Sequence, residues 1–153
     1  MVDRHCVFCR IIGGEEMVSL VYEDDGIVAF MDIQPVSPGH VLVVPRHHYP
    51  TLLEVPDELA ARTLAVAKRL APGLLAATGA RAVNLFSANG RAGGQDVPHF
   101  HLHMIPVRTA GEFPMQLPLP GGQIPSRSEL DVMAARIGRA IQDVESTPQL
   151  AQS

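Results

Sequence analysis

The chain has 153 residues, of which 46% are hydrophobic and 18% charged, a composition typical of one soluble globular domain. Its net charge of −4 and the lack of a basic stripe argue against a nucleic-acid partner. No run approaches the roughly 18 apolar residues of a membrane span, and the first residues lack an apolar signal-peptide core. We therefore expect a cytoplasmic protein with no membrane partner.

The first half of the chain predicts a helical turn and three strands. Asp24-Asp25-Gly26 is a tight-turn signal between two apolar runs, which predicts a hairpin. The predicted elements are a helical turn at 6–12, hairpin strands at 20–23 and 27–31, a loop at 35–39 and a β-branched strand at 40–44 closed by Pro45.

The second half predicts two helices and two further strands. Apolar residues recur at helical spacing after Pro56, and Pro72-Gly73 predicts a kink or break near Ala71. The remaining elements are strands at 82–86 and 98–107, a loop at 89–94, a proline-rich segment at 109–125, an amphipathic helix from the capping box Ser126-x-x-Glu129 to about Glu145, and a frayed end at 148–153. Hairpin-connected strands with a single main helix favour an α+β fold with an antiparallel sheet.

His99, His101 and His103 alternate with apolar residues in a predicted strand, where side chains spaced by two share one face. Imidazole titrates near neutrality, so the three can form a His-x-His metal site or provide a nucleophile. The preceding loop at 93–97 can turn backbone N–H groups and an amide towards an anion. No acidic cluster for Mg²⁺ accompanies it, which favours metal-free displacement at phosphorus.

Three further features carry chemistry. Cys6-x-x-Cys9 predicts either free buried thiols or half of a Cys₂His₂ zinc site, for which His47, His48 and His99 are candidate partners. Asp32 follows a strand and is either a turn cap or an acceptor for a ribose diol. His40 is either bonded locally or supports the catalytic imidazole.

Together these motifs resemble the histidine triad (HIT) superfamily hydrolases, in their Hint-like bacterial branch. The resemblance covers about residues 6–107, and its motifs are Cys6-Val-Phe-Cys9, Tyr22-Glu-Asp-Asp25, Ala29-Phe-Met-Asp-Ile33, Pro35-x-x-Pro-Gly-His-Val-Leu-Val-Val-Pro45, Gly94-Gln95 and His99-x-His-x-His103-x-Ile-Pro. It implies a HIT-like five-stranded antiparallel sheet with one main helix and a C-terminal helix, assembled as a homodimer. Residues 1–108 would form the HIT domain core, with 109–153 as a proline-rich loop and C-terminal helix of the same domain.

The resemblance also implies an activity. Such proteins cleave purine nucleotide derivatives, for example phosphoramidates or dinucleoside polyphosphates, at the α-phosphate, and release an AMP- or GMP-like product without a catalytic metal. By the same resemblance, His101 is the nucleophile that carries the nucleotide, His103 contacts the α-phosphate, and His40 supports the catalytic histidine.

The remaining site residues follow from the same resemblance, grouped by the part of the nucleotide they would contact. Phosphate would be bound by Gln95 with the backbone of Asp96 and Val97, and lined by Asn89 and Gly94; ribose would be held by Asp32; the base pocket would be Phe8, Ile11, Phe30 and Ile33. The zinc ligands of zinc-bearing relatives match Cys6, Cys9, His48 and His99.

Two alternatives stay open. A nucleotide-binding or interaction module with little turnover needs the same pocket. A metalloenzyme with its metal on His99, His101 and His103 would leave Gln95, Asp32 and His40 without a purpose. The chain also departs from relatives specialised for phosphoramidates, which have serine where Asp96 stands, and an ionised aspartate cannot donate a hydrogen bond.

Overall fold

The computed structural model describes residues 3–113 and 124–146. It divides into two units, Met1–Pro114 and Met115–Ser153, and each is described by itself. Most of the proline-rich segment and the frayed end predicted at 148–153 lie outside the described residues. The assignment of 109–153 to the same domain as the core stays a prediction.

The first unit contains the predicted five-stranded antiparallel sheet. Its strands are β1 (Leu20–Glu23), β2 (Ile27–Met31), β3 (Val41–Pro45), β4 (Ala82–Phe86) and β5 (Leu102–Val107), in the order β1-β2-β3-β5-β4. The predicted hairpin is confirmed: Oδ1 of Asp24 accepts from the N–H groups of Gly26 and Ile27 at 2.9 and 2.7 Å. Because β5 lies between β3 and β4, the histidine segment enters the middle of the sheet.

Both faces of the central strands are covered, which explains why β2 and β3 are apolar at every position. Helix α1 (Val7–Ile12) packs on one face, and helix α2 (Asp57–Thr78) packs on the other. One face contributes Val28, Phe30, Leu42 and Val44 to the cluster around Phe8; the other contributes Ile27, Ala29, Val41 and Val43 to the cluster around Val66 and Ala67. The α1 side carries the residues of the candidate site.

The break predicted near Ala71 is wrong, because α2 continues through Pro72 to Thr78. Proline removes one helical hydrogen bond and costs about 3 kcal/mol in a helix interior. Pro72 is exposed, so water reaches the carbonyl that lost its partner. The neighbours Leu70, Ala71 and Leu74 pack against the sheet cluster, and this apolar contact holds the helix together across the proline.

The histidine strand is shorter than predicted: β5 begins at Leu102, whereas the prediction began at residue 98. Upstream, the backbone bonds to loops instead of a neighbouring strand. The N–H of Phe100 donates to the carbonyl of Tyr49 over 2.6 Å, and the N–H of His99 donates to Val97 over 2.8 Å. Pro98 has no N–H to give to a ladder. His99 and His101 therefore lie in an irregular segment, bent at residues 96–99, that leads into β5.

The second unit contains helix α3 (Arg127–Ser146), which confirms the predicted amphipathic helix. Its capping box is formed: the Ser126 hydroxyl accepts from the N–H of Glu129, and the Glu129 carboxylate accepts from the N–H of Ser126. In the described residues, no helix combines the length and the hydropathy needed to cross a bilayer.

Candidate functional site

The three alternating histidines enter two different environments. His99 is fully buried and turns Nδ1 towards two cysteine sulfurs. His101 and His103 lie side by side, with ring centroids 4.7 Å apart. The segment before β5 therefore contributes to a Cys/His cluster and, two residues later, to a pair of histidines.

His101 is held in one neutral tautomer by a backbone carbonyl. Its Nδ1 lies 2.7 Å from the carbonyl oxygen of His99, which can only accept, so Nδ1 carries the proton. Burial lowers the pKa of His101, which keeps the ring neutral near pH 7. Phe8 packs edge-to-face on the ring at a centroid distance of 5.1 Å. Nε2 of His101 therefore keeps its lone pair, as a nucleophilic imidazole requires.

The tautomer of His103 is set by two hydrogen bonds in series. The backbone N–H of Val36 donates to Nδ1 of His40 over 3.1 Å, so the proton of neutral His40 is on Nε2. Nε2 of His40 in turn donates to Nδ1 of His103 over 2.8 Å. Burial lowers the pKa of both rings, to about 4 for His103. His103 thus presents an Nε2–H donor, and the direct contact of His40 is His103, the neighbour of His101.

Asp32 lies beside His40 and His103, just after β2. Its Oδ1 accepts from the N–H of Gln34 over 2.8 Å, while Oδ2 lies 3.5 Å from Nδ1 of His40. The Asp32, His40 and His103 ligand atoms are close enough for a metal group. However, the two imidazoles share a 2.8 Å hydrogen bond, and its proton occupies the position a metal would need. Asp32 therefore fits an acceptor role better than a metal-ligand role.

The loop before the histidines is closed by the amide of Gln95. Oε1 accepts from the N–H of Gly90 over 2.7 Å, and Nε2 donates to the carbonyls of Pro50 and Val97 over 2.7 and 3.0 Å. Both protons of Nε2 are thus used inside the protein. The side chain predicted to bind phosphate shapes the loop in this structure.

Two backbone donors of the same loop are available to an anion. Within 3–113 and 124–146, the N–H groups of Asp96 and Val97 donate to no protein acceptor. Gly94 precedes them with φ 86°, a conformation that glycine adopts without strain. The amide of Asn89 is occupied within the protein: Oδ1 accepts from the N–H of Leu52 at 2.7 Å, and Nδ2 donates to the carbonyl and hydroxyl oxygens of Ser87, each at 3.3 Å. The predicted phosphate contact is therefore best supplied by the backbone of Asp96 and Val97.

The predicted base-pocket residues divide into a buried wall and one exposed side chain. Phe8 and Phe30 are buried and pack edge-to-face, with centroids 5.5 Å apart, and Ile11 is half-buried against their cluster. Ile33 is 92% exposed in the loop after β2. The structure thus provides an apolar wall next to His101, with Ile33 on the surface.

The predicted zinc ligands Cys6, Cys9, His48 and His99 form one cluster, and their four ligand atoms all lie within 4.8 Å of one another. Nδ1 of His99 is 3.4 and 3.6 Å from the sulfurs of Cys6 and Cys9, and Nδ1 of His48 is 3.4 Å from the sulfur of Cys9. A tetrahedral zinc with Zn–S of about 2.3 Å and Zn–N of about 2.0–2.1 Å sets sulfur and nitrogen about 3.5 Å apart. The donor set and its spacing therefore fit zinc.

The outward nitrogens of the two cluster histidines both face oxygen atoms, and that of His99 is hydrogen-bonded. Nε2 of His99 donates to the carbonyl of Pro45 over 2.9 Å, and Nε2 of His48 lies 3.9 Å from a carboxylate oxygen of Asp3. Such contacts orient metal-binding histidines and fix their tautomers. Burial lowers the pKa of His99 to about 4, so Nδ1 is available as a neutral ligand. His47, the other candidate from spacing, is exposed.

Sequence reasoning missed the groups that orient the predicted residues. The N–H of Val36 sets the His40 tautomer, and the hydroxyl of Ser87 donates to the carbonyl of His101 over 2.8 Å. A backbone N–H has no signature in residue identity, so Val36 could not be found from the sequence. In the described residues, no metal-competent group joins His101 to two other ligands, which leaves the metalloenzyme alternative without support.

The fold and the alternating histidines define the histidine triad class of proteins. Residues 14–110 match the HIT domain, and the chain belongs to the HIT domain family. It is 42% identical over 105 residues to adenylylsulfatase HINT3 of Arabidopsis thaliana, covering 69% of this chain and 53% of that protein. It is 37% identical over 107 residues to adenosine 5'-monophosphoramidase HNT1 of Saccharomyces cerevisiae, covering 70% of this chain and 65% of that protein. The chain thus spans between half and two thirds of these relatives.

Solved structures agree with this assignment. SMU.412c from Streptococcus mutans superposes with a TM-score of 0.84 at 33% identity, over 91% of this chain and 87% of that one. A Zn-bound histidine triad family protein from Mycobacterium smegmatis superposes with a TM-score of 0.68 at 31% identity, over 88% and 96%. The named relatives support a nucleotide hydrolase at the level of the family, and the Zn-bound neighbour is compatible with the Cys/His cluster.

Proposed function

We propose that the protein is a nucleotide hydrolase or transferase that cleaves purine nucleotide derivatives at the α-phosphate through a covalent intermediate on His101. The substrate is a nucleoside phosphoramidate, a dinucleoside polyphosphate or a similar derivative, and the product is AMP- or GMP-like. The observation that carries the proposal is the 2.7 Å bond from Nδ1 of His101 to the His99 carbonyl, because it leaves the Nε2 lone pair free. Relatives named adenylylsulfatase and adenosine 5'-monophosphoramidase support the same chemistry.

The reaction proceeds in two displacements. Nε2 of His101 attacks phosphorus, and the leaving group departs with the electron pair of its bond to phosphorus. Water then attacks the intermediate, transfers its hydroxyl to phosphorus and releases a proton to solvent, while His101 recovers its lone pair. The N–H groups of Asp96 and Val97 and the Nε2–H of His103 donate to the phosphoryl oxygens as charge develops.

The nucleoside lies against the α1 side of the site. Asp32 accepts from the ribose hydroxyls through Oδ2, whose partner Oδ1 is already fixed by Gln34. The base stacks in the pocket formed by Phe8, Ile11, Phe30 and Ile33. Closure of the exposed Ile33 over the base would bury apolar surface on both and so favour binding.

Zinc and a second copy complete the proposal. Zinc bound by Cys6, Cys9, His48 and His99 would act as a structural ion that connects α1 to the segment before β5, and no catalytic metal takes part.

The homodimer is proposed from the family resemblance, and the cytoplasmic location is proposed from composition. Light scattering of the purified chain tests the homodimer, which predicts twice the 16.5 kDa chain mass.

The function is tested by incubating wild type and His101→Ala with adenosine phosphoramidate, ADP and a diadenosine polyphosphate. Wild type is expected to release AMP from at least one of them. The variant is expected to lose at least about 10³-fold in kcat, in line with removal of a nucleophile. His47→Ala, which removes an exposed histidine, serves as the matched control.

Equal rates for wild type and His101→Ala would refute the nucleophile assignment. Binding of AMP by wild type with no release from any of the three compounds would favour the alternative, a nucleotide-binding module with little turnover. Thermal midpoints of all variants, measured beside activity, separate a lost nucleophile from a lost fold.

A further inference from the structure

His101, the proposed nucleophile, lies one residue outside the sheet. The backbone pairs of β5 begin at Leu102 with β3 and at His103 with β4. The ring of His101 is bonded to the carbonyl of His99. Its own carbonyl accepts from the hydroxyl of Ser87 over 2.8 Å. The proposed nucleophile is therefore held through its ring on one side and through its main chain on the other.

The hydroxyl of Ser87 extends the connection between β4 and β5 beyond the ladder. The last ladder pair at this end is Phe86 with His103, and Ser87 is the residue that follows β4. A serine hydroxyl has one proton, and the carbonyl of His101 can only accept, so this proton is committed to the main chain of the nucleophile. A side-chain donor thus replaces a backbone N–H at the residue where position matters most.

The side chain of Asn89 holds Ser87 in turn. Nδ2 donates to the hydroxyl and carbonyl oxygens of Ser87, each over 3.3 Å. Oδ1 accepts from the N–H of Leu52 over 2.7 Å, and this donor identifies the oxygen end of the amide. A donor to Oγ polarises the hydroxyl and strengthens the hydrogen bond that the hydroxyl gives. Consecutive hydrogen bonds therefore connect the N–H of Leu52 with the carbonyl of His101.

The far end of this connection is an ordered turn. Leu52 begins a 3₁₀ turn, Leu52–Glu54, whose N-cap is Thr51. Its capping box is formed, with the Glu54 carboxylate accepting from the N–H of Thr51 over 3.0 Å. The N–H at the start of such a turn has no partner inside the turn, and here it is satisfied by Asn89. The connection thus ends on main chain that is itself capped.

We propose that Ser87 and Asn89 are positioning residues for His101, with Asn89 acting through Ser87. The resemblance assigns Asn89 to the lining of the phosphate site instead. Both ends of its amide are engaged inside the protein, and a turn towards phosphate would break the bonds to Leu52 and Ser87. This inference rests on the proposed function, because it concerns how His101 is held for attack.

A positioning role affects the rate of attack more than the binding of the nucleotide. Nε2 of His101 must approach phosphorus opposite the leaving group, and small displacements from that geometry cost rate. Loss of the Ser87 hydroxyl frees the peptide after His101, and the ring and its bond to the His99 carbonyl move with that peptide. We therefore expect a lower kcat, a nearly unchanged KM and a less uniform His101 tautomer.

The first test needs no turnover. Nitrogen NMR of the full chain with isotope-labelled histidine rings reports the His101 tautomer, and the signals are assigned with His101→Ala. In wild type, Nδ1 is expected to have the shift of a protonated nitrogen and Nε2 that of an unprotonated one. Ser87→Ala and Asn89→Ala are expected to move the two shifts towards each other. Ser87→Thr, which keeps the hydroxyl, is expected to retain the wild-type shifts.

The second test uses whichever of adenosine phosphoramidate, ADP and the diadenosine polyphosphate wild type cleaves fastest. Ser87→Ala is expected to lower kcat at least about tenfold, with KM within about twofold of wild type, and Ser87→Thr is expected to restore most of kcat. Asn89→Ala is expected to lower kcat by less. Because Asn89 acts through Ser87, the double variant is expected to stay within about twofold of Ser87→Ala. Ser19→Ala, at an exposed serine, is the matched control and keeps the wild-type kcat.

A wild-type kcat in Ser87→Ala, or losses that multiply in the double variant, would overturn this inference and leave the proposed function intact. A raised KM at unchanged kcat in Asn89→Ala would overturn it in favour of a phosphate contact. Ser87→Thr with a wild-type thermal midpoint but no recovery of kcat would also overturn it. Release of AMP from none of the compounds would refute the proposed function, and the His101 shifts of Ser87→Ala would still decide whether Ser87 positions the ring.

Discussion

At the scale of single residues, three chemically identical imidazoles differ through what one nitrogen of each contacts. The carbonyl of His99 accepts the Nδ1 proton of His101. The N–H of Val36 fixes the tautomer of His40, which in turn fixes that of His103. Two cysteine sulfurs face Nδ1 of His99. Burial lowers the pKa of all three, so each works as a neutral ring near pH 7. Environment and not residue type thus distinguishes the proposed zinc ligand, the proposed nucleophile and the proposed phosphate donor.

The buried histidines predict how stability depends on pH. The pKa of His103 falls from 6.5 to about 4 on folding, so the unfolded chain binds a proton at a higher pH than the folded chain does. The contribution of His103 to the free energy of unfolding is complete above about pH 6.5 and is lost as the pH falls towards 4. Urea unfolding of wild type between pH 7 and 4 is expected to show this decline.

His103→Gln is expected to show a smaller decline over the same pH range, because one titrating group is gone. His5→Gln, which removes an exposed histidine, should follow the wild-type curve. A His103→Gln profile parallel to wild type would contradict the linkage.

Gly39 shows why the loop before β3 needs glycine. Its φ is +97°, and an added Cβ would lie 2.4 Å from Cγ2 of Thr78 and 3.2 Å from Cγ of Pro106. Gly39→Ala is therefore expected to lower the free energy of unfolding by about 2 kcal/mol or more, from backbone strain and overpacking. Chemical denaturation measures the loss.

Thr78→Ser offers a rescue, because it removes Cγ2 but keeps the hydroxyl that donates to Leu74. In the wild-type background, Thr78→Ser should lower the free energy of unfolding only slightly. In the Gly39→Ala background, it should restore part of the lost stability. Additive effects of the two substitutions would contradict the proposed clash.

At the scale of elements, α2 shows that tertiary packing outweighs a local breaker. Pro72 removes one hydrogen bond from a helix of 22 residues. Pro72→Ala would restore that bond. It would also make the unfolded chain more flexible, which lowers the gain in the free energy of unfolding by about 0.4–1 kcal/mol. We expect a net gain of about 1 kcal/mol or more, seen as a thermal midpoint higher by roughly 2–4 °C.

Pro56→Ala is the control for this substitution. Pro56 stands before the first turn of α2, where no helical N–H is missing, and its carbonyl accepts from Leu59 and Ala60. Pro56→Ala should therefore give no comparable increase in the thermal midpoint. A lower midpoint for Pro72→Ala would show that the proline is favourable in the folded helix.

The elements also show what the sequence could predict. The hairpin at Asp24, the apolar β2 and β3 and the capping box of α3 depend on local turn chemistry and periodicity, and all three were predicted. The start of β5 was not, because Tyr49 takes the N–H of Phe100 away from the ladder, and that contact spans about fifty residues of chain. Likewise, motifs identified the site residues. They could not show that the side-chain amide of Gln95 is occupied, because its partner is the carbonyl of Pro50, which is distant in sequence.

At the scale of the whole molecule, the Cys/His cluster joins three distant parts of the chain: the first turn of α1 with the residue before it, the segment after β3 and the lead-in to β5. Protein purified without chelator is expected to contain about one zinc per chain by mass spectrometry. Removal of the metal is expected to lower the thermal midpoint by circular dichroism, since binding free energy contributes to folding.

Cys9→Ser tests the same site from the protein side. It should contain less zinc, and its midpoint should respond less to chelator than that of wild type. Wild type without zinc and with two freely titratable thiols would contradict the site.

The backbone origin of the histidine tautomers has a consequence for how the site tolerates mutation. Val36 and His99 act through an N–H and a carbonyl, which almost every amino acid would supply equally well. Random substitution at Val36 should therefore leave the donor to His40 in place, with proline, which lacks the N–H, as the exception. The proposed catalytic arrangement is set by the main chain and is therefore robust to genetic drift, so sequence variability at position 36 is compatible with a strict chemical requirement there.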